Sequence, residues 1–168
     1  MNEVHVCGKL VRFRNAVMPV AVANLGDTLR IVPTQHLMRI RQIDVVPPLT
    51  LAPGDPRYSG GGSGVGYPRL SELCFDRAIK PGNFPLNRTL LHEIGHILDH
   101  AFNCLSTLTP AHQASLMTIP IPRGARTHGP GECYAIAYQQ VMTGGASDPV
   151  RAAVLASRAF LGVDTVRL

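Results

Sequence analysis

No stretch of this 168-residue sequence approaches the roughly eighteen unbroken apolar residues that a membrane-spanning helix needs. Arg, Asp, Pro or Gly interrupts every hydrophobic run, so no membrane span is expected and the chain is predicted to be soluble. The N-terminus, Met1-Asn2-Glu3, lacks the basic segment followed by an apolar one that marks a secretory leader, so no signal peptide is expected and localisation stays open. Cysteine is sparse and scattered. Cys7, Cys74, Cys104 and Cys133 form no CxxC pair and no short ligand spacing, which argues against a Cys-rich zinc module. Four cysteines allow three disulfide pairings and also occur as ordinary buried thiols, which leaves the redox compartment open. Sixteen Lys and Arg against eleven acids give a net charge of +5, but no basic run carries interleaved aromatics. The excess therefore reads as a solvated basic surface, and no nucleic-acid partner is expected. Internal repeats are also lacking.

With 45% apolar residues, the chain is long enough for one core and too short for two, so residues 1–168 are read as a single domain. From Val4 to Val46 short apolar runs alternate with polar breaks, as in Val4-His5-Val6-Cys7 and Leu29-Arg30-Ile31-Val32. These predict strands, with a helix across Thr34 to Gln42 before the apolar stretch Ile43 to Val46. Residues 53–68 are rich in Gly and Pro and read as a mobile loop beside the functional site rather than an interdomain linker. Leu70 to Phe75 follows as an edge strand with weak alternation.

Pro81 to Pro85 reads as a turn, and Asn87 as the N-cap of a helix from Arg88 to Phe102. Leu90, Leu91, Ile94, Ile97, Leu98 and Ala101 recur at helical spacing, which buries one side and leaves another available. Thr107 to Pro130 is punctuated by Pro and Gly and is expected to be irregular. A second helix is predicted from Glu132 to Met142, ending at Gly144-Gly145. Asp148-Pro149 opens a third, Ala-rich helix through Phe160. Strands followed by helices predict an α+β domain.

The decisive run is His92-Glu93-Ile94-Gly95-His96. Two histidines four apart on a helix are about 6 Å apart along its axis and share a face, so both imidazoles can reach one metal ion. Glu93 stands beside that pair without being a ligand, where a carboxylate can take a proton from metal-activated water. A catalytic zinc usually has three protein ligands and an open position. His100 is a poor third, because it is about 12 Å along the axis from His92. Asp99 has the same problem, although it could orient an imidazole from outside the ligand set. Among the glutamates, Glu132 alone is downstream of the motif, and it opens the second predicted helix. It is the candidate third ligand, against the plainer reading of a first-turn acid facing the helix dipole.

His92-Glu93-Ile94-Gly95-His96 followed by Glu132-Cys133-Tyr134-Ala135-Ile136-Ala137-Tyr138 resembles the gluzincin metallopeptidases, particularly the branch of anthrax lethal factor and related bacterial toxin-type peptidases. The resemblance covers about Asn87 to Met142. It implies a zincin-like fold in which a small mixed sheet presents an edge strand to an extended protein or peptide substrate, above the motif helix and before the C-terminal helices. It also implies one zinc ion on His92, His96 and Glu132, with Glu93 as general base. A Tyr is often found seven residues before the ligand Glu in these peptidases; here that position is Ala125. His128 is the substitute candidate for stabilising the oxyanion, with Tyr134 and Tyr138 behind it. Ile136 takes the place of a second-shell Asp, and Asp99 and Phe102 stand where a metzincin would have Gly and a third His.

The resulting expectation is a zinc metalloendopeptidase. Its toxin-like resemblance makes a bacterial effector or toxin domain, secreted or delivered, with an immunity or delivery partner, part of that expectation. Two other readings accompany it: a zinc amidase acting on cell-wall peptide crosslinks, and a noncatalytic binding domain stabilised by zinc.

Overall fold

The computed structural model describes residues 2–13, 19–46, 64–67, 72–76, 88–120 and 129–163. The chain opens with a hairpin, β1 (Asn2–Val6) and β2 (Lys9–Phe13), in which Val6 pairs with Lys9. Cys7 and Gly8 both take positive φ, 49° and 72°, the backbone that a two-residue hairpin turn requires to match strand twist. Next come α1 (Pro19–Ile31), the single turn α2 (Thr34–Leu37) and β3 (Gln42–Val46). β3 lies parallel to β2, and the intervening helices supply the crossover that parallel neighbours need. β4 (Gly64–Tyr67) and β5 (Glu72–Asp76) complete a five-stranded mixed sheet in the order β1-β2-β3-β5-β4. β5 is parallel to β3 and antiparallel to β4.

Among the described residues four helices follow: α3 (Arg88–Phe102), α4 (Pro110–Met117), α5 (Pro130–Met142) and α6 (Asp148–Leu155). Short 3-10 turns occur at Leu105–Thr107 and Arg158–Phe160. The domain is therefore α+β. α3 packs on β4 and β5 on one side and on α5 along the other. Leu90, Leu91, Ile94, Ile97 and Leu98 have no exposed surface and join Tyr134, Ala137, Tyr138 and Val141 of α5 in the core. Burying a large apolar side chain contributes about 1.5–3 kcal/mol, so the contact between these two helices contributes substantially to the core.

Several elements differ from the sequence reading. Leu29 to Val32 is not a strand, because α1 continues through Ile31. Leu25, Thr28, Leu29 and Val32 are buried at helical spacing, and that periodic face outweighs the local β-branched preference. The helix expected across Thr34 to Gln42 shrinks to one turn, since Gln42 is claimed by ladders with both β2 and β5. β5 is internal rather than an edge. Its unbroken Leu73-Cys74-Phe75 run suits a strand with neighbours on both sides. The terminal strand on that side of the sheet is β4, which occupies residues 64–67 of the expected mobile loop. Gly64 and Gly66 hide its strand character, and the ladder with β5 provides what local propensity lacks.

Between Thr107 and Pro130 the expected irregular region contains α4. Thr109 caps it by accepting the His112 N–H at 3.3 Å, and Pro110 stands in the first turn, where its missing N–H costs nothing. The third predicted helix stops at Leu155 instead of Phe160, because buried Ser157 leaves helical geometry to meet the Tyr134 hydroxyl at 2.8 Å. The Pro81–Pro85 turn, Asn87, residues 53–63 and 68, and His128 lie outside the described residues.

Candidate metal centre

α3 runs over the predicted span, and its enclosed apolar positions force the remaining polar ones onto a single flank. His92 and His96 emerge there, their side chains 19% and 27% exposed, with ring centroids 4.8 Å apart. α5 supplies Glu132 from its first turn. One carboxylate oxygen of Glu132 lies 3.3 Å from His92 Nε2 and the other 3.2 Å from His96 Nε2, while the two Nε2 atoms are 3.1 Å apart. These three side chains form a group that could hold a metal ion.

The spacing provides a test of fit. Donor atoms about 2.0–2.1 Å from a tetrahedral ion stand roughly 3.3–3.4 Å from one another. The imidazole nitrogens stand 3.1 Å apart and each faces a different carboxylate oxygen, and with one donor atom taken from each residue all three lie within 4.8 Å of one another, close enough to share an ion after small side-chain rotations. Protonation fits as well. Burial, reinforced by neighbouring His96, lowers the His92 pKa to about 4. Burial also lowers that of His96, against the opposing pull of the Glu132 and Asp99 carboxylates. Near neutral pH both rings are thus uncharged and keep the lone pairs a metal requires. Their contacts with Glu132 are consequently not ion pairs at that pH.

Glu93 is buried, with 8% exposure, and is not among the three converging donors. His100 is exposed at the end of α3 and also stays apart from the group. Asp99 does not orient an imidazole by hydrogen bonding. Its Oδ1 accepts the Leu105 N–H at 3.1 Å, so its effect on His96 is electrostatic. Burial raises the Asp99 pKa, partly countered by the Leu105 N–H and the nearby histidines.

The hydroxyls of Tyr134 and Tyr138 are engaged within the core. Both are fully buried, Tyr134 against Ser157 and Tyr138 against His36 Nδ1 at 3.0 Å. Helical geometry explains this: at about 100° per residue, each lies well around α5 from Glu132. No protein-family model, curated protein or solved structure matches the chain.

Sequence reasoning also missed His36. It has no exposed surface, and its Nε2–H donates to the Ala159 carbonyl at 2.8 Å while Nδ1 accepts from the Tyr138 hydroxyl. Burial lowers its pKa despite the Ala159 hydrogen bond. Its role is to tie α2 to α5 and to the last 3-10 turn. Cys104 and Cys133 are buried free thiols, whereas the free thiol of Cys7 is exposed.

Proposed function

We propose that the chain is a zinc-dependent metallopeptidase of zincin-like fold, with His92, His96 and Glu132 holding the ion and Glu93 as general base. The observation that carries this reading is the convergence of two neutral imidazoles and a carboxylate, from two separate helices, with one donor atom of each within 4.8 Å of the others. Imidazole and carboxylate donors suit zinc, and among the described residues three converge rather than four, the number typical of a catalytic site.

Zinc bound there supplies Lewis acidity that polarises a scissile carbonyl and lowers the pKa of a water. Glu93 accepts the proton of the attacking water and passes it to the leaving amine, so one carboxylate serves as base and then as acid. Its partial enclosure in α3 keeps bulk water from diluting that exchange. The substrate lies extended along β4, which packs on α3 and pairs only with β5 among the described strands. An apolar pocket of about 310 Å³, lined by Leu105, Leu116, Met117 and Pro130 among others, opens at the start of α5 and is suited to a substrate side chain.

The test pairs metal content with turnover. Glu93→Gln should retain zinc while peptide hydrolysis falls by about 10²–10⁴-fold, the usual contribution of a positioned general base. A zinc-loaded Gln variant with wild-type turnover would remove Glu93 from the mechanism. Parallel assays on protein and peptidoglycan substrates separate a protease from a cell-wall amidase. Tight zinc binding without hydrolysis of either would favour a binding domain.

A further inference from the structure

Glycine in the middle of a helix carries an entropic cost, so Gly95 at the centre of α3 calls for a reason. A methyl group there would lie 2.7 Å from Ala135 Cα, 3.2 Å from its carbonyl oxygen and 3.3 Å from its Cβ. The first of these neighbours is backbone of α5, which no side-chain rotation can move aside. One turn further along α3, Asp99 faces Gly131, one turn earlier in α5: a Cβ on Gly131 would be 3.5 Å from Asp99 Oδ2. The two contacts show α3 and α5 crossing antiparallel with their backbones close together. They also bracket Glu132 along α5.

We propose that Gly95 is a positioning residue, whose missing side chain lets α5 approach α3 closely enough for Glu132 to share an ion with His92 and His96. The inference rests on the metal-site reading above. Carbon atoms in ordinary contact are about 3.5–4.0 Å apart, so Gly95→Ala requires a local retreat of α5 by about 1 Å. Ala135 is less than one turn from Glu132, and α5 transmits that shift as a nearly rigid rod. Metal–ligand distances tolerate only about 0.2 Å. The displacement therefore exceeds what the third ligand can absorb.

The experiment compares zinc affinity with metal-free stability in the full chain. Wild type, Gly95→Ala, Ala135→Ser and Ala153→Val are stripped of metal. Each is titrated with zinc against a chromophoric chelator, melted in EDTA, and loaded with cobalt(II) to record the absorption of its coordination sphere. Gly95→Ala should bind zinc at least ~10-fold more weakly, the loss typical of a disturbed supporting residue, with an altered cobalt spectrum. Ala153→Val overpacks the core from α6 and should lower the melting temperature while leaving zinc affinity alone. Gly95→Ala that binds zinc within about twofold of wild type, with an unchanged cobalt spectrum, overturns the inference. If Gly95→Ala does not fold, Ala135→Ser decides, since it adds one atom to the same contact from the α5 side. It should weaken zinc in the same direction, and unchanged affinity overturns the proposal. A wild-type chain that takes up no zinc removes the metal-site reading itself, and this inference with it.

Discussion

Replacing Glu132 with alanine separates a metal ligand from a first-turn acid that complements the helix dipole. In the metal-free protein the carboxylate lies 3.3 and 3.2 Å from two imidazole nitrogens, but the rings are neutral near pH 7.5, so no ion pair is lost. What is lost is a partly exposed hydrogen bond between His96 and Glu132, worth about 0.5–1.5 kcal/mol, so the melting temperature in EDTA should fall by only a few degrees. With zinc the variants diverge. At free zinc about 100-fold above its dissociation constant, the wild type gains ~2.7 kcal/mol. For a chain of this size each kcal/mol moves the midpoint by about 2–4 °C, so zinc should raise it by about 5–11 °C. Losing a group outside the ligand set already costs about 10–100-fold in affinity, so losing a direct ligand should cost at least ~100-fold. At the same zinc concentration the variant is then about half-saturated and gains only ~0.4 kcal/mol, a shift of roughly 1–2 °C. Differential scanning fluorimetry with and without zinc reads both values. Equal zinc-induced shifts in the two proteins would refute Glu132 as a ligand.

Two further outcomes concern the buried polar contacts. Tyr134→Phe strands the fully buried Ser157 hydroxyl and should cost about 1–3 kcal/mol, read by urea unfolding, with zinc affinity unchanged. Loss of turnover in a stable, zinc-loaded Tyr134→Phe protein would instead put that hydroxyl in the reaction. For His36 the folded-state pKa is below the unfolded value near 6.5, so the unfolded chain binds more protons as pH falls through that value. Stability should therefore decline below about pH 6.5, level off below the folded-state pKa, and be unaffected by this group at higher pH. In metal-free protein, His36→Phe should reduce the acid slope by up to about 1.4 kcal/mol per pH unit relative to wild type, measured by urea unfolding between pH 7.5 and 5. An identical slope in both proteins would mean that His36 does not titrate between the two states.

α3 was readable because two independent signals coincide on it: apolar spacing that buries Leu90, Leu91, Ile94, Ile97 and Leu98, and a His-Glu-x-x-His run whose spacing suits a helix face. The α+β class followed from strands preceding helices. β4 and α4 were hidden for opposite reasons. β4 has two glycines in four residues and becomes a strand only because β5 provides a ladder. α4 begins at a proline, which breaks a helix from within but suits its first turn. α1 was obscured because Val, Ile and Leu serve either element, and only its packed face discriminates between them.

The candidate site divides along the same line. Donor identity is local chemistry, so His92, His96 and Glu132 could be named from residue type and spacing. That Tyr134 and Tyr138 lie on a different side of α5 from Glu132 was also within reach, since rotation around a helix follows from residue number. The approach of Glu132 to the histidines was not. It depends on two backbones meeting at Gly95 and Ala135, residues forty positions apart, with no donor atom of their own in the motif chemistry. A motif names the atoms that can bind an ion, whereas the crossing of the helices decides whether they meet. The glycine inside the motif is therefore as informative about the centre as its histidines, because it marks where the second helix must come closest.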